Sequence, residues 1–253
     1  MQIVLTAGGT REPIDDVRFV SNVASGALPA AMADVLLGLG HQVHYLHGPG
    51  AILPGHALLD LDLTDPAEIL RETTLKWLEA TLDRQQAQRK GDLVLLPVQT
   101  AAEVAHTLFT VCQALQPGAV ACAMAVADFA PLATTGKLSS DQATLTLQMA
   151  ATAKAIDGVK QAAPNTRLLG FKLLSGASEA ELRDAALHLC QRSGADLVFG
   201  NDIKDYRAGR RRGLLLGPSG DVLERLDGGS GADAQVRLAE QLVAAVLAEI
   251  TRE

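Results

Sequence analysis

Short apolar runs alternate along this chain with longer stretches of helical periodicity, and that alternation restricts the fold more than any other feature. A run that is apolar on both faces belongs inside a parallel sheet covered on both sides, and the stretches between supply the cover. The pattern predicts strands at Gln2–Thr6, Gln42–Leu46, Leu93–Val98, Val120–Ala127, Leu145–Met149, Arg167–Phe171 and Asp196–Gly200. It predicts helices from the neighbourhood of Ser25–Ala30 to Leu39, from Pro66 to about Gln88, and over Ala101–Leu115, Glu179–Arg192 and Ala232–Ile250. Residues 57–63 (ALLDLDL) read as one more strand, and Arg207–Leu226 reads as a β-hairpin turning at Pro218-Ser219-Gly220. The expected class is α/β: a Rossmann-like, mostly parallel sheet with helices on both faces. The hairpin and the segment around Lys137 are expected to project from it. No linker, repeat or low-complexity tract divides residues 1–253, so a single domain is expected.

Composition narrows the function. Only 3% of the residues are aromatic and the formal net charge is −7, which removes both the stacking surface and the electrostatic footprint of a nucleic-acid binder. The same charge argues against an anionic membrane surface. Anionic small molecules stay open, because a few local cations and helix N-termini can hold a phosphate in an acidic protein. Cys112, Cys122 and Cys190 are odd in number and lack metal-type spacing, so free thiols in a reducing compartment are expected. No metal site is expected. The start of the chain has no basic n-region, and no run approaches the ~18 apolar residues of a membrane span, which points to the cytosol.

Several positions have the character of a binding site. The turn Ala7-Gly8-Gly9-Thr10 follows the first strand directly, where backbone can approach a ligand or simply turn tightly. It lacks the G-x-G-x-x-G spacing of a dinucleotide site. Ser25 and Gly26 precede a helix, as an N-cap or as an anion cradle, and Asn22 beside them offers both a donor and an acceptor. Asp128 closes the apolar run VACAMAVA, at the strand end where open α/β sheets bind ligands. Lys137 follows on a glycine-containing loop.

In order and spacing, TAGGTREPIDDVRFVSN…SG, AVADF, GKLSS, GFKL and ADLVFGND resemble the phosphopantothenate–cysteine ligases. The motifs span residues 6 to 202, and the resemblance is to the stand-alone enzyme without a flavin-dependent decarboxylase half. It implies that Asn22 binds the activated acyl group and that Lys137 neutralises a triphosphate. Arg18 would reach the substrate phosphate of a neighbouring subunit, so a homodimer is implied. Met124, Ala125 and Asp128 would line the pantothenate pocket. The nucleotide would meet Gly8, Gly9, Ser25, Gly26, the backbone of Ala153, Lys154, Ala155 and Ile156, and the side chains of Phe171 and Asn201. His188 and Arg192 stand near positions where the family carries two lysines.

The resemblance implies a two-step ligation with CTP or ATP as co-substrate, Mg²⁺ beside it and no flavin. The carboxylate of 4′-phosphopantothenate attacks the α-phosphate, pyrophosphate leaves, and the amine of L-cysteine attacks the acyl-nucleotidylate. The chain departs from the family at Val23, Ala24 and Ala27, where polar or basic side chains are usual, and at Pro29, where a glycine is. Residues 50–92 are longer than the family suggests. An idle nucleotide-binding module is the alternative. An NAD(P) oxidoreductase would need Tyr-x-x-x-Lys, and Tyr45 and Tyr206 are followed four residues on by Pro49 and Arg210.

Overall fold

The computed structural model describes residues 1–55, 66–132, 135–139 and 144–251, with residues 66–76 described by backbone alone. The expected strand over residues 57–63 lies outside them. In chain order the elements are β1 (Gln2–Ala7), β2 (Arg11–Pro13), β3 (Phe19–Ser21), α1 (Ala27–Gly38), β4 (Gln42–His47), α2 (Pro66–Lys90), β5 (Leu93–Pro97), α3 (Ala101–Leu115), β6 (Ala119–Cys122), β7 (Phe129–Pro131) and β8 (Met149–Ala151). A 3₁₀ turn at Ala155–Gly158 leads into α4 (Val159–Ala162). Then come β9 (Arg167–Leu174), α5 (Glu179–Ser193), β10 (Leu197–Asp202), α6 (Ile203–Arg207), β11 (Arg212–Leu216), β12 (Val222–Asp227) and α7 (Ala234–Ile250).

Eight strands form one sheet in the order β12-β11-β10-β9-β6-β1-β4-β5. Every pair from β5 across to β10 is parallel, and β11 and β12 are antiparallel additions at the edge. The chain runs outward from β1 through β4 to β5, then returns to the other side of β1 and runs outward through β6, β9 and β10. The order therefore reverses between β1 and β6. In open α/β sheets the ligand crevice opens there, beyond the carboxyl ends of the strands.

Strand alternation divides the core into two layers. Ile3, Leu5 and Ala7 of β1 face a cluster built from α1 (Ala30, Met32, Leu36) and α7 (Leu238, Leu242, Val243). Val4 faces the opposite cluster, from α3 (Leu108, Cys112), α4 (Val159) and α5 (Ala186, Leu189). Helices thus cover both faces, as the apolar runs require. Ser178 and Glu181 form a reciprocal capping box at the start of α5, and Thr100 caps α3.

Three details differ from the sequence reading. The expected strand Val120–Ala127 stops at Cys122, because side chains take up the backbone beyond it: Met124 N–H donates to Thr6 Oγ1 at 3.0 Å and Ala127 N–H to Thr10 Oγ1 at 3.1 Å. A single bridge from Gly9 to Ala125 is what remains of the ladder. The strand expected over Leu145–Met149 is displaced to Met149–Ala151, since its partner β7 faces only those residues. The hairpin of β11 and β12 does not stand off the domain but extends the sheet, with Leu214, Leu215, Leu216 and Leu226 buried. What stands outside the sheet is two small ladders, β2 with β3 and β7 with β8.

Candidate functional site

A cavity of about 240 Å³ opens at the order reversal. Its floor is Thr6 and Cys122 at the ends of β1 and β6, with Phe171 and Lys172 from β9. Val104 and Leu108 of α3 and Leu189 and Arg192 of α5 form two walls. The rim is Met124 and Val126–Asp128 on one side and Ala153–Ile156 on the other, with Ala125 outside the lining. Pockets that swallow a drug-sized ligand run to about 300–1,000 Å³, so this one has room to enclose only part of such a ligand.

The cavity gathers Met124, Asp128, Ala153, Lys154, Ala155, Ile156, Phe171 and Arg192, which the resemblance had divided between substrate and nucleotide. Phe171 meets Phe199 edge-on, with centroids 5.9 Å apart, which fixes the ring at the cavity floor. Lys154 Nζ reaches Asp128 Oδ1 across the rim, and Arg192 Nε donates to Asp157 Oδ1 at 3.0 Å. Lys172 has no anionic partner among the described residues. Three cations and one carboxylate therefore line the cavity, which favours an anionic guest in a chain that is acidic overall. Burial pushes the Cys122 thiol up, with the neighbouring Cys112 as a second cause, so it stays protonated. Among the described residues no three His, Cys, Asp or Glu come together as a metal site, and no helix is long and apolar enough to cross a membrane.

Other expected residues stand outside this cavity. A Cβ on Gly9 would sit 2.8 Å from Asn22 O, one on Gly26 2.9 Å from Gly8 N, and one on Gly8 2.6 Å from the Ala51 methyl. The glycines of TAGGT and SG thus let three stretches of backbone meet. Ser25 Oγ accepts from Ala27 N–H at 3.4 Å, and Pro29, buried in the first turn of α1, has no N–H; Leu28 is the donor that turn retains. Asn22 Nδ2 donates to Ala125 O at 3.2 Å, and Thr10 N–H donates to the same oxygen. His188 is exposed one turn before Arg192. Asn201 lines a separate cavity with Asp202, Lys204, Arg212 and Arg225, one strand beyond Phe171.

Arg18 and Lys137 belong to a different arrangement. Asp15, buried between β2 and β3, accepts from Val17 N–H and Arg18 N–H through Oδ1. Its Oδ2 accepts from Arg18 Nε and Leu138 N–H. Arg18 NH2 then donates to Leu138 O at 2.7 Å, and Asp16 N–H to Gly136 O at 3.2 Å. Burial alone would push the Asp15 carboxyl up; the Arg18 guanidinium and the Leu138, Val17 and Arg18 N–H groups outweigh it and hold it well below the usual carboxylate range. Lys137 itself is exposed.

Sequence reasoning missed Thr6, Thr10 and Thr152, whose hydroxyls hold the rim at Met124 N, Ala127 N and Ala127 O. It also missed Glu12, buried, whose Oε1 accepts from Ala101 N–H at the start of α3. The available signal was polarity at positions flanked by core residues.

Comparison with known proteins matches residues 1–82 and 80–214 to the DNA/pantothenate metabolism flavoprotein C-terminal domain. The Thermococcus kodakarensis "Coenzyme A biosynthesis bifunctional protein CoaBC" is 28% identical over 220 residues, 85% of this chain and 45% of that protein. Its Bacillus subtilis counterpart is 27% identical over 208 residues, 82% of this chain and 41% of that protein. The chain thus spans about half the length of these curated relatives. Among solved structures, the DNA/pantothenate metabolism flavoprotein of Streptococcus pneumoniae superposes with a TM-score of 0.74 at 22% identity, covering 98% of this chain and 99% of that one. A Cab2 variant in complex with phosphopantothenate-cysteine gives 0.74 at 21% identity, covering 98% and 86%. Because that family model matches well over half of its length, the chain belongs to the DNA/pantothenate metabolism flavoprotein C-terminal domain family.

Proposed function

We propose that this protein joins 4′-phosphopantothenate to L-cysteine at the expense of CTP or ATP, in coenzyme A biosynthesis in the cytosol. One observation carries the reading: Met124, Asp128, Ala153–Ile156, Phe171 and Arg192, scattered over the sequence, meet in one cation-rich cavity where the strand order reverses. The base and ribose occupy the cavity against Phe171, and the polyphosphate runs out along the rim. Lys154, Lys172 and Arg192 balance its charge, and Lys137 is the cation the resemblance assigns to the departing pyrophosphate. Asn22 holds the acyl carbonyl region near Ala125. Positioning and electrostatics suffice for both half-steps, so no side-chain nucleophile is needed.

Magnesium fits as a passenger on the triphosphate. The cavity offers one exposed carboxylate, Asp128, and Mg²⁺ usually combines one or two carboxylates with substrate phosphates and water. When bound it would spread the charge of the leaving group.

A homodimer is part of the reading. The two small ladders pack together through β2 and β7 and carry Val17, Phe19, Phe129, Leu132 and Met149 exposed, an apolar face suited to a second copy. Pyrophosphate release with phosphopantothenate, cysteine and either CTP or ATP, each component omitted in turn, tests the reaction. Release that needs phosphopantothenate supports it; triphosphate binding without release would leave the idle module.

A further inference from the structure

Lys137 lies between two peptide units that another part of the chain holds in place. Asp16 N–H fixes Gly136 O, Asp15 Oδ2 fixes Leu138 N–H, and Arg18 fixes Leu138 O. Asp15 and Leu138 are 123 residues apart in sequence, so this is a tertiary tether rather than a local turn. Gly136, at φ 83°, supplies a left-handed bend at its start. The carboxylate is fully buried, and two of its groups of contacts have different reach. Oδ1 serves only Val17 and Arg18 N–H, closing the local turn; Oδ2 serves Leu138 and the Arg18 guanidinium, and so reaches the Lys137 segment.

We propose that Asp15 is the positioning residue for Lys137: through Oδ2 and Arg18 it sets where the Lys137 backbone stands relative to the reacting phosphates. The inference rests on the ligase reading and on Lys137 acting in it. Asp15 touches no substrate. Its effect should appear where placement of a cation matters, in the transition state, since a misplacement of about 1 Å can cost about 100-fold in rate.

Asp15→Asn separates the two functions of the carboxylate. The amide oxygen can keep the Oδ1 bonds to Val17 and Arg18, while its NH₂ faces the Leu138 N–H and the guanidinium, donors against donors. The local turn survives and the Oδ2 part of the tether is lost, leaving Gly136 O on Asp16 N–H and Leu138 held by the backbone-to-guanidinium bond alone. The experiment compares pyrophosphate release by wild type, Asp15→Asn, Lys137→Gln and the double variant, with thermal midpoints recorded for all four. Wild-type release establishes the ligase reading, and a loss in Lys137→Gln establishes the lysine, independently of Asp15.

Asp15→Asn is expected to lower kcat about 10- to 100-fold with triphosphate KM changed less than about threefold. In the Lys137→Gln background it should add less than about threefold, because the group being positioned is gone. Equal losses in both backgrounds, or a change confined to KM, would overturn the inference even with the ligase reading intact. Should Asp15→Asn fail to fold, Leu138→Pro removes the same hydrogen bond from the Leu138 side and must show the same dependence on Lys137.

Discussion

Lys154 and Asp128 face each other across the rim of the cavity, joined Nζ to Oδ1, with side chains 39% and 70% exposed. An ion pair so open to water contributes about 0–1 kcal/mol, so stability does not explain it. An incoming phosphate can take the lysine over. Lys154→Gln should therefore raise the triphosphate KM about 10- to 100-fold, the equivalent of about 1.5–3 kcal/mol for a charged hydrogen bond, and leave the thermal midpoint nearly unmoved. An unchanged KM would make the pair a surface contact only.

Thr6, buried at the end of β1 on the cavity floor, uses its hydroxyl to accept from Met124 N–H. Thr6→Val keeps the shape and strands that N–H in a buried place. The expected cost is about 1–3 kcal/mol in urea unfolding, with a looser rim and a higher triphosphate KM. A variant as stable as wild type would mean that water reaches Met124 N.

Asp34 on α1 is pushed up to about 6 by burial, against the pull of Gly55 N–H and Arg84. The sign runs opposite to that of a salt-bridged carboxylate. Between the unfolded value of 3.8 and the folded value of about 6, the folded protein keeps a proton that the unfolded chain loses. Stability should fall as pH rises through that window and stay lower above it, by roughly 1–3 kcal/mol. Asp34→Asn keeps the acceptor for Gly55 and removes the penalty. Its unfolding free energy should exceed that of wild type at pH 7.5 and converge with it near pH 4. A parallel offset at both pH values would refute the assignment.

Val17, 61% exposed between β2 and β3, tests the apolar face. Val17→Asp should shift sedimentation from dimer toward monomer at micromolar concentration while the far-ultraviolet circular dichroism stays that of wild type. A monomeric wild type would end the dimer reading before the variant is made.

The sheet and half of the cavity were legible because they rest on local pattern. Phe171, Met124 and Asp128 lie at or beyond the carboxyl ends of apolar runs, and a parallel sheet puts such positions together whatever the details. Thr6, Thr10 and Asp15 were not legible as they act here. Their partners Met124, Ala127 and Leu138 are 118, 117 and 123 residues away, and no periodicity carries a bond of that length. Val104, Leu108 and Leu189 pattern like any core-facing helical residue, and only the crevice makes them lining. Within TREPIDDVR, Thr10, Glu12, Asp15 and Arg18 bond to distant parts of the chain itself, which is how the loop comes to hold the rim, α3 and the Lys137 segment in register.

The edges of the sheet bear on how copies of this protein can meet. At one end β12 presents Glu224, Arg225 and Asp227 to solvent, and its pairing with β11 slips at Leu215/Leu216, the kind of charged, irregular border that resists an added strand. At the other end β5 finishes in Pro97, which has no N–H to offer. Neither border invites one molecule's sheet to continue into the next. In the proposed dimer, association is left to a face that two copies can use up between them, so it should close on a pair and stop rather than grow into fibres.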